Sequence, residues 1–227
     1  MKTTKSFLLF VATFFVAAFT LTSCLNDDDD YKAPTLEEQN QYQTLMAGNY
    51  GSMVRLYYPS YGNAVKYDSI EHYYWKVSVL KDSTITMNNF PVCKLDSAIN
   101  IAKNDNTDKA RELDALRTAI HNSTAMVNIT AKYFVPNKNY IVDYGYNFPV
   151  YPTTFKQTFN YNGSNHDVYF LFDVTGGYGG YFRQSDYVGK VFEYSMCLAG
   201  ICVDGYKSEN LISGTYFRQI LVQFATK

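Results

Sequence analysis

The sequence is poor in the residue types that most often carry out chemistry. Of its 227 residues, three are histidine, one is tryptophan and four are cysteine. Lysine and arginine number 20 and aspartate and glutamate 21, which gives a formal net charge of -1. Nucleic-acid-binding domains usually carry a basic face, so this balance argues against nucleic acid as a partner.

Motifs of familiar catalytic and metal sites are also scarce. His72, His121 and His166 stand apart in the sequence, and none has the spacing of a metal-ligand pair. No Gly-x-Ser-x-Gly nucleophile elbow occurs. Asp173 and Asp186 are candidates for a glycosidase acid and base, but a β protein of this size offers many such pairs. We therefore predict no metal and no cofactor, and an enzyme, specifically a hydrolase, is the least favoured class.

The amino terminus carries the one apolar run that indicates a cellular address. Lys2 and Lys5 precede the apolar stretch 7–19, which is shorter than the roughly 20 residues that span a bilayer. A positive start, an apolar run and small residues before a cysteine are the parts of a secretory signal. Residues 1–23 are therefore predicted to be a signal peptide. No later apolar run is long enough for a membrane helix.

The end of this signal, Leu-Thr-Ser-Cys at 21–24, resembles the lipobox of bacterial lipoproteins. The resemblance implies that Cys24 becomes the first mature residue and carries diacylglycerol and acyl chains such as palmitate. Two or more chains anchor a protein stably in a membrane. An ordinary cleaved signal with a chance cysteine is the alternative.

An acidic run, Asp27 to Asp30, follows the cysteine. A block of like charge is a solvated, self-repelling tether, and we predict a flexible tether over 24–40. The run also resembles the acidic export signal of Bacteroidetes-type lipoproteins. That resemblance implies an outer-membrane lipoprotein facing the cell exterior. Residues 41–227 then form a single domain, a length sufficient for one core.

Aromatic residues are abundant, with 22 tyrosines and 16 phenylalanines, and both types favour strands. Alternating apolar residues predict a mainly β fold. The order of strands and helix along the chain fits an antiparallel β-sandwich, which we prefer, or a partly closed lipocalin-like barrel. The predicted strands cover 52–58, 73–80, 84–87, 125–135, 140–144, 154–161, 167–174, 187–198 and 214–225.

One inserted helix interrupts the strands at about 107–121. Leu113, Leu116 and Ile120 fall on one helical stripe, and Thr107 is a suitable N-cap. Asp96 is expected to cap a shorter helix that includes Ala98.

Three short features together resemble an uncharacterised family of Bacteroidetes-type outer-membrane lipoproteins. They are Leu-x-x-Gly-x-Tyr-Gly at 45–51, Asn-Phe-Pro-Val at 89–92 followed by the helix, and the lipoprotein leader. The resemblance implies a location and a shared fold, and it implies no activity.

Apart from Cys24, the cysteines are Cys93, Cys197 and Cys202. A secreted protein can form disulfides, and the short spacing with Gly200 between predicts a Cys197–Cys202 bond and a buried Cys93. Free buried thiols are the alternative, and metal binding is disfavoured by the spacing.

The glycine-rich segment 175–181 is predicted to be a mobile loop after a strand. If Tyr178 and Tyr181 are exposed there, their rings offer stacking platforms for sugars; otherwise they fold back on the core. The first function class is therefore a ligand-binding module for extracellular glycans or proteins. A structural or adhesive surface protein is the alternative, favoured by an open sheet edge.

Overall fold

The computed structural model describes residues 33–59, 64–78, 83–136, 141–142, 145–175, 178–185, 187 and 189–226. Cys24 and the predicted signal lie outside the described residues. The elements are, in chain order, α1 (Leu36–Met46), β1 (Gly48–Tyr58), β2 (Val65–Val77), β3 (Thr84–Pro91), a 3-10 helix (Val92–Ala98), α2 (Asp108–His121), β4 (Met126–Tyr133), β5 (Ile141–Val142), β6 (Gly145–Pro152), β7 (Phe155–Tyr161), β8 (Ser164–Phe172), β9 (Gly179–Ser185), β10 (Gly189–Val203), a 3-10 helix (Ser208–Asn210) and β11 (Ile220–Thr226).

Eight antiparallel strands close into a barrel. The hydrogen-bonded order is β11, β1, β2, β3, β4, β6, β9 and β10, and β10 pairs again with β11. The mainly β prediction and the lipocalin-like alternative are thus confirmed, with the barrel fully closed and not split into a sandwich. Closure removes the unpaired edges that an open sheet would leave.

The long strand β10 joins the barrel to a second hairpin. One edge of β10 pairs with β11 over 193–198. Its other edge pairs first with β9 over 189–194 and then with β8 over 198–203. The hairpin β7–β8 therefore continues the sheet beyond the barrel. In its turn, the φ angles of Asn162 and Gly163 are 50° and 81°, the positive values that a two-residue type I′ turn requires.

The barrel interior is filled by the inward-facing residues of alternating strands. On β10 these are Phe192, Tyr194 and Met196, and on β11 they are Val222 and Phe224, all buried. Aromatic rings dominate the packing: Tyr194 stacks on Phe224 with ring centres 4.4 Å apart. This alternation leaves the odd-numbered neighbours of these residues on the outer face of the barrel wall.

The helices cover parts of this scaffold. Helix α2 begins at the predicted N-cap: the Ala110 N–H donates to Thr107 Oγ1 at 3.1 Å. Its stripe of Leu113, Leu116 and Ile120 is buried and packs on the first 3-10 helix and on β7, which confirms the inserted helix. The predicted short helix at Asp96 is instead the end of that 3-10 helix, Val92–Ala98.

Helix α1 differs from the sequence prediction. A capping box starts it, because the Glu38 N–H donates to Thr35 Oγ1 at 3.2 Å and the Thr35 N–H donates to Glu38 Oε2 at 2.7 Å. The helix therefore begins at Leu36, before the end of the tether predicted over 24–40. No described helix is both long enough and apolar enough to cross a membrane.

Candidate ligand-binding groove

A groove of about 690 Å³ lies on the outer face of the barrel wall. It runs over β6, β9 and β10 and reaches β11. The side chains that give it its chemistry are partly or fully exposed and are aromatic or polar: Phe134, Asn147, Tyr151, Tyr181, Glu193 and Gln223. A pocket lined by aromatic surface with a few placed polar groups is the usual form of a small-molecule site.

Strand register brings the central residues of the groove together. Tyr181 of β9 lies directly opposite Asn147 of β6 and Glu193 of β10. In the next row, Ser195 of β10 is paired with Gln223 of β11. Directly opposite residues on one face have Cβ atoms about 4.5–5.5 Å apart, so one small ligand can touch an aromatic ring, a carboxylate and an amide together.

Gly179 lines the groove next to β6. It pairs with Pro149, and a Cβ at this position would lie 2.5 Å from the Phe148 carbonyl oxygen. A side chain therefore cannot be added without moving backbone. The glycine therefore allows β9 to lie close to β6 at this point of the groove.

The hydroxyl end of Tyr181 lies against Gly145. A Cβ built on Gly145 would come within 2.6 Å of Tyr181 Cε2 and 2.7 Å of its Cζ, so this end of the ring occupies the space that a side chain at position 145 would take. Covering a strand glycine with a neighbouring aromatic ring is a known way to stabilise a sheet. Tyr181 is half-buried and lines the groove, so the exposed part of its side chain is available to a ligand.

A second aromatic surface forms part of the groove. The rings of Phe134 and Tyr151 stack with centres 6.0 Å apart and an angle of 3° between their planes. Phe134 remains 43% exposed. The pair therefore adds a second aromatic surface that a ligand in the groove can contact.

Glu193 supplies the charge of the groove. No other described residue forms an ion pair or side-chain hydrogen bond with its carboxylate, so its oxygens are free to accept hydrogen bonds from a ligand. Gln223 is oriented by the Tyr57 hydroxyl, which donates to its Oε1 at 3.3 Å. The Gln223 amide NH₂ is then left as a donor. The groove therefore offers both acceptors and donors.

The two predicted tyrosine platforms have different surroundings. Tyr181 lies in the groove, as described. Tyr178 is half-buried before β9, and its hydrogen bond with the Cys197 thiol, together with burial, raises the pKa of Tyr178 to about 12. Tyr178 is therefore held to the barrel wall. The predicted loop is also shorter than expected, because β9 begins at Gly179, while residues 176–177 lie outside the described residues.

The predicted disulfide between Cys197 and Cys202 is wrong. Both cysteines are free and buried thiols on the single strand β10. Five residues along an extended strand span about 16 Å, whereas bonded cysteines need Cα atoms within about 7 Å. The loop that the sequence suggested is a continuous strand, so the alternative of free thiols applies. Cys93 is also free, and it is partly rather than fully buried.

The three histidines lie outside the groove. His121 contacts Asp96, with 2.8 Å between Nδ1 and Oδ2, and His166 makes the same contact with Asp204 at 2.8 Å. Within the described residues, no group of three or more His, Cys, Asp or Glu side chains could hold a metal ion. Asp173 accepts from the Thr175 N–H at 2.8 Å in a local turn, and Asp186 lies outside the described residues.

Sequence reasoning identified Tyr181 but missed Phe134, Tyr151 and Glu193. A signal for Glu193 existed, because a carboxylate alternates with Phe192 and Tyr194 in an apolar strand and must face outward. Its neighbours across the sheet could not be inferred, since that required the pairing of β9 with both β6 and β10.

Comparison with known proteins identifies the family of this chain. Residues 45–203 match the family described as "Domain of unknown function (DUF4840)". No curated protein and no solved structure matches the chain. The matched region runs from the end of α1 to the end of β10 and so includes the aromatic and carboxylate residues of the groove. Because this match covers well over half of its length, the chain belongs to the DUF4840 family.

Proposed function

We propose that this protein is a surface-exposed binding module whose groove takes a neutral glycan. The observation that carries the proposal is the row Asn147–Tyr181–Glu193, in which a tyrosine lies between an amide and a carboxylate that no described residue pairs with. Sugars present an apolar ring face and a rim of hydroxyl groups. An aromatic face beside hydrogen-bonding groups matches both parts of such a ligand.

The charge of the groove supports a neutral ligand over an acidic one. Among the described residues that line it, Glu193 is the only ionisable carboxylate or base. An acidic sugar would place a second negative charge near an unpaired carboxylate, which costs free energy. A hydroxyl rim can instead donate hydrogen bonds to Glu193, and a bond to a charged acceptor is about twice as strong as a neutral one.

The location is part of the same proposal. The Leu-Thr-Ser-Cys sequence and the acidic run support lipid attachment at Cys24 and display on the outer membrane. A secreted barrel on such an anchor would meet extracellular polysaccharide. Metabolic labelling with an alkyne fatty acid tests the anchor: the wild type should be labelled and Cys24→Ala should not. Equal labelling of both proteins would contradict the lipid attachment.

The groove is tested with Tyr181→Ala on a panel of host and plant polysaccharides. The control is Tyr187→Ala, because Tyr187 is 100% exposed and does not line the groove. We expect Tyr181→Ala to weaken binding at least about tenfold, or about 1.4 kcal/mol, and Tyr187→Ala to bind as the wild type does. A thermal melt of each variant separates lost binding from lost folding.

Two outcomes would oppose the glycan proposal. If Tyr181→Ala folds normally and binds as well as the wild type, the groove is not the site. If the wild type binds no polysaccharide, the structural or adhesive class becomes the better proposal. The hairpin strand β7, which ends the sheet order, would then be the edge to examine.

A further inference from the structure

A second cleft, of about 480 Å³, lies between α2, the first 3-10 helix and the segment before β11. Its walls are mostly polar, in contrast to the aromatic groove. Arg117 and His121 come from α2, Asp96 from the 3-10 helix, and Asn100 and Arg218 from the segments that follow and face it. Nothing in the proposed glycan function uses these residues.

Arg218 is held in place by groups that carry no charge. Its backbone N–H donates to the Ala98 carbonyl at 2.8 Å, and its Nη2 donates to Asn100 Oδ1 at 2.7 Å. The guanidinium lies over the Tyr58 ring, 4.5 Å from the ring centre, and Tyr58 in turn stacks on Tyr67 at 4.2 Å. A cation–π contact of this kind fixes the plane of the guanidinium.

The charge of Arg218 is therefore not neutralised by this arrangement. No described carboxylate forms an ion pair with it. A surface arginine kept only for stability gains little from being fixed in this way, because ordering a long side chain costs up to about 2 kcal/mol in rotamer entropy. A fixed guanidinium with free N–H groups at a cleft is the form suited to a planar or tetrahedral anion.

Asp96 is the carboxylate that lines the cleft, and both of its oxygens have partners. The Ser97 hydroxyl donates a hydrogen bond to Asp96 Oδ1 at 3.1 Å, and Asp96 Oδ2 lies 2.8 Å from His121 Nδ1. Arg117 forms an ion pair with Asp114 of the same helix. The carboxyl end of α2 disfavours an anion through its partial negative charge, so the attraction must come mainly from Arg218.

We propose that this cleft binds an oxyanion group of a ligand, a carboxylate, a sulfate ester or a phosphate ester, with Arg218 as the principal binding residue. The guanidinium supplies two parallel N–H donors to the oxyanion. Asn100 and Tyr58 keep these donors oriented before the ligand arrives. The site is independent of the groove, and it does not require the ligand of the groove to be a glycan.

The test titrates the full chain with sodium sulfate, sodium phosphate and sodium acetate at constant ionic strength. The NMR chemical shifts of the backbone amides of Ser97, Asn100 and His121 report on binding in the cleft. At least one anion should give saturable shifts there, and the tightest of the three identifies the oxyanion. Arg218→Gln should weaken that binding at least about tenfold, equivalent to about 1.4 kcal/mol.

Arg111→Gln is the matched control. Arg111 lies at the amino end of α2, pairs with Asp108 and does not line the cleft, so its loss should leave the affinity unchanged. Arg218→Lys keeps the charge but removes the planar fork, and it should bind severalfold more weakly than the wild type. This variant also preserves the test if Arg218→Gln does not fold.

Three results would overturn the proposal. The first is the absence of saturable shifts at the cleft with all three anions. The second is equal affinity of the wild type and Arg218→Gln. The third is wild-type affinity in Arg218→Lys, which would show that the fork makes no contribution.

Discussion

Two tyrosines in the barrel interior differ in one respect that can be measured. Tyr50 and Tyr194 both pack in the same aromatic core, each in contact with Phe192 and Trp75. The Tyr50 hydroxyl donates to the Met46 carbonyl at 2.5 Å, one of the carbonyls at the end of α1 that lack a partner within the helix. The Tyr194 hydroxyl is buried and has no hydrogen-bond partner among the described residues.

Replacing each tyrosine with phenylalanine should therefore change stability in opposite directions. A buried hydroxyl without a partner costs about 1–3 kcal/mol. Tyr194→Phe removes that cost and keeps the ring stacked on Phe224. The void left by one oxygen, about 10 Å³ at about 24 cal/mol per Å³, offsets only about 0.2 kcal/mol. We expect a net stabilisation of about 1–2 kcal/mol, or about 2–8 °C in Tm for a chain of this size.

Tyr50→Phe should be destabilised by about 1–2 kcal/mol, because it leaves the Met46 carbonyl unpaired in the core. The measurement is denaturant unfolding of both variants and the wild type under identical conditions, with the melting temperature as a second reading. If Tyr194→Phe is less stable than the wild type, the Tyr194 hydroxyl has a hydrogen-bond partner in solution. The reasoning from an unpaired hydroxyl would then be refuted.

Three further predictions follow from described contacts. Cys197 and Cys202, free and buried, should both be alkylated without reductant in denaturant and react slowly in the native protein; a mass lower by two hydrogens would contradict this. Gly180→Ala should destabilise the barrel by about 1–3 kcal/mol, since the new Cβ would lie 2.5 Å from the Glu193 carbonyl oxygen. Gly214→Ala is the control and should be neutral, because a Cβ there meets no atom within 4 Å. Equal melting temperatures for the two variants would refute the packing argument. The hydrogen bond from Lys156, and next to it the one from Thr158, lowers the pKa of Asp167. The ionised Asp167 therefore stabilises the fold above about pH 4, and this contribution is lost as the pH falls through the lowered pKa. Unfolding experiments between pH 5 and 2.5 should show a steeper loss of stability for the wild type than for Asp167→Asn, and parallel curves would contradict this prediction.

Local patterns in the sequence predicted local structure well. The stripe of Leu113, Leu116 and Ile120 gave α2 together with its N-cap, and alternation with an Asn-Gly turn gave the β7–β8 hairpin. These features depend on neighbouring residues, so the chain itself contains the information. Sandwich and barrel could not be separated in this way, because both consist of the same alternating strands.

Long-range pairing accounts for most of what the sequence did not predict. Strand β9 was missed because Gly179 and Gly180 read as a loop, whereas their lack of side chains lets the strand lie close to Phe148. The proposed disulfide failed for a related reason, since Gly200 indicated a turn where β10 has only a register shift between Leu198 and Gly200. The groove joins three strands that are distant in sequence, and its residues could only be grouped once their pairing was known.

The closure of the barrel has a consequence for how the chain folds. Strand β11, at 220–226, pairs with β1, at 48–58, and also with β10, so the ring cannot be completed until residues 220–226 are available. Contacts between such distant segments require a large loop to be closed, and folding rates fall as the average sequence separation of contacts rises. A chain still emerging from a ribosome or a membrane pore would expose the edges of β1 and β10, which are sites for aggregation or chaperone binding. Truncation before residue 220 should therefore leave an open sheet rather than a slightly smaller barrel.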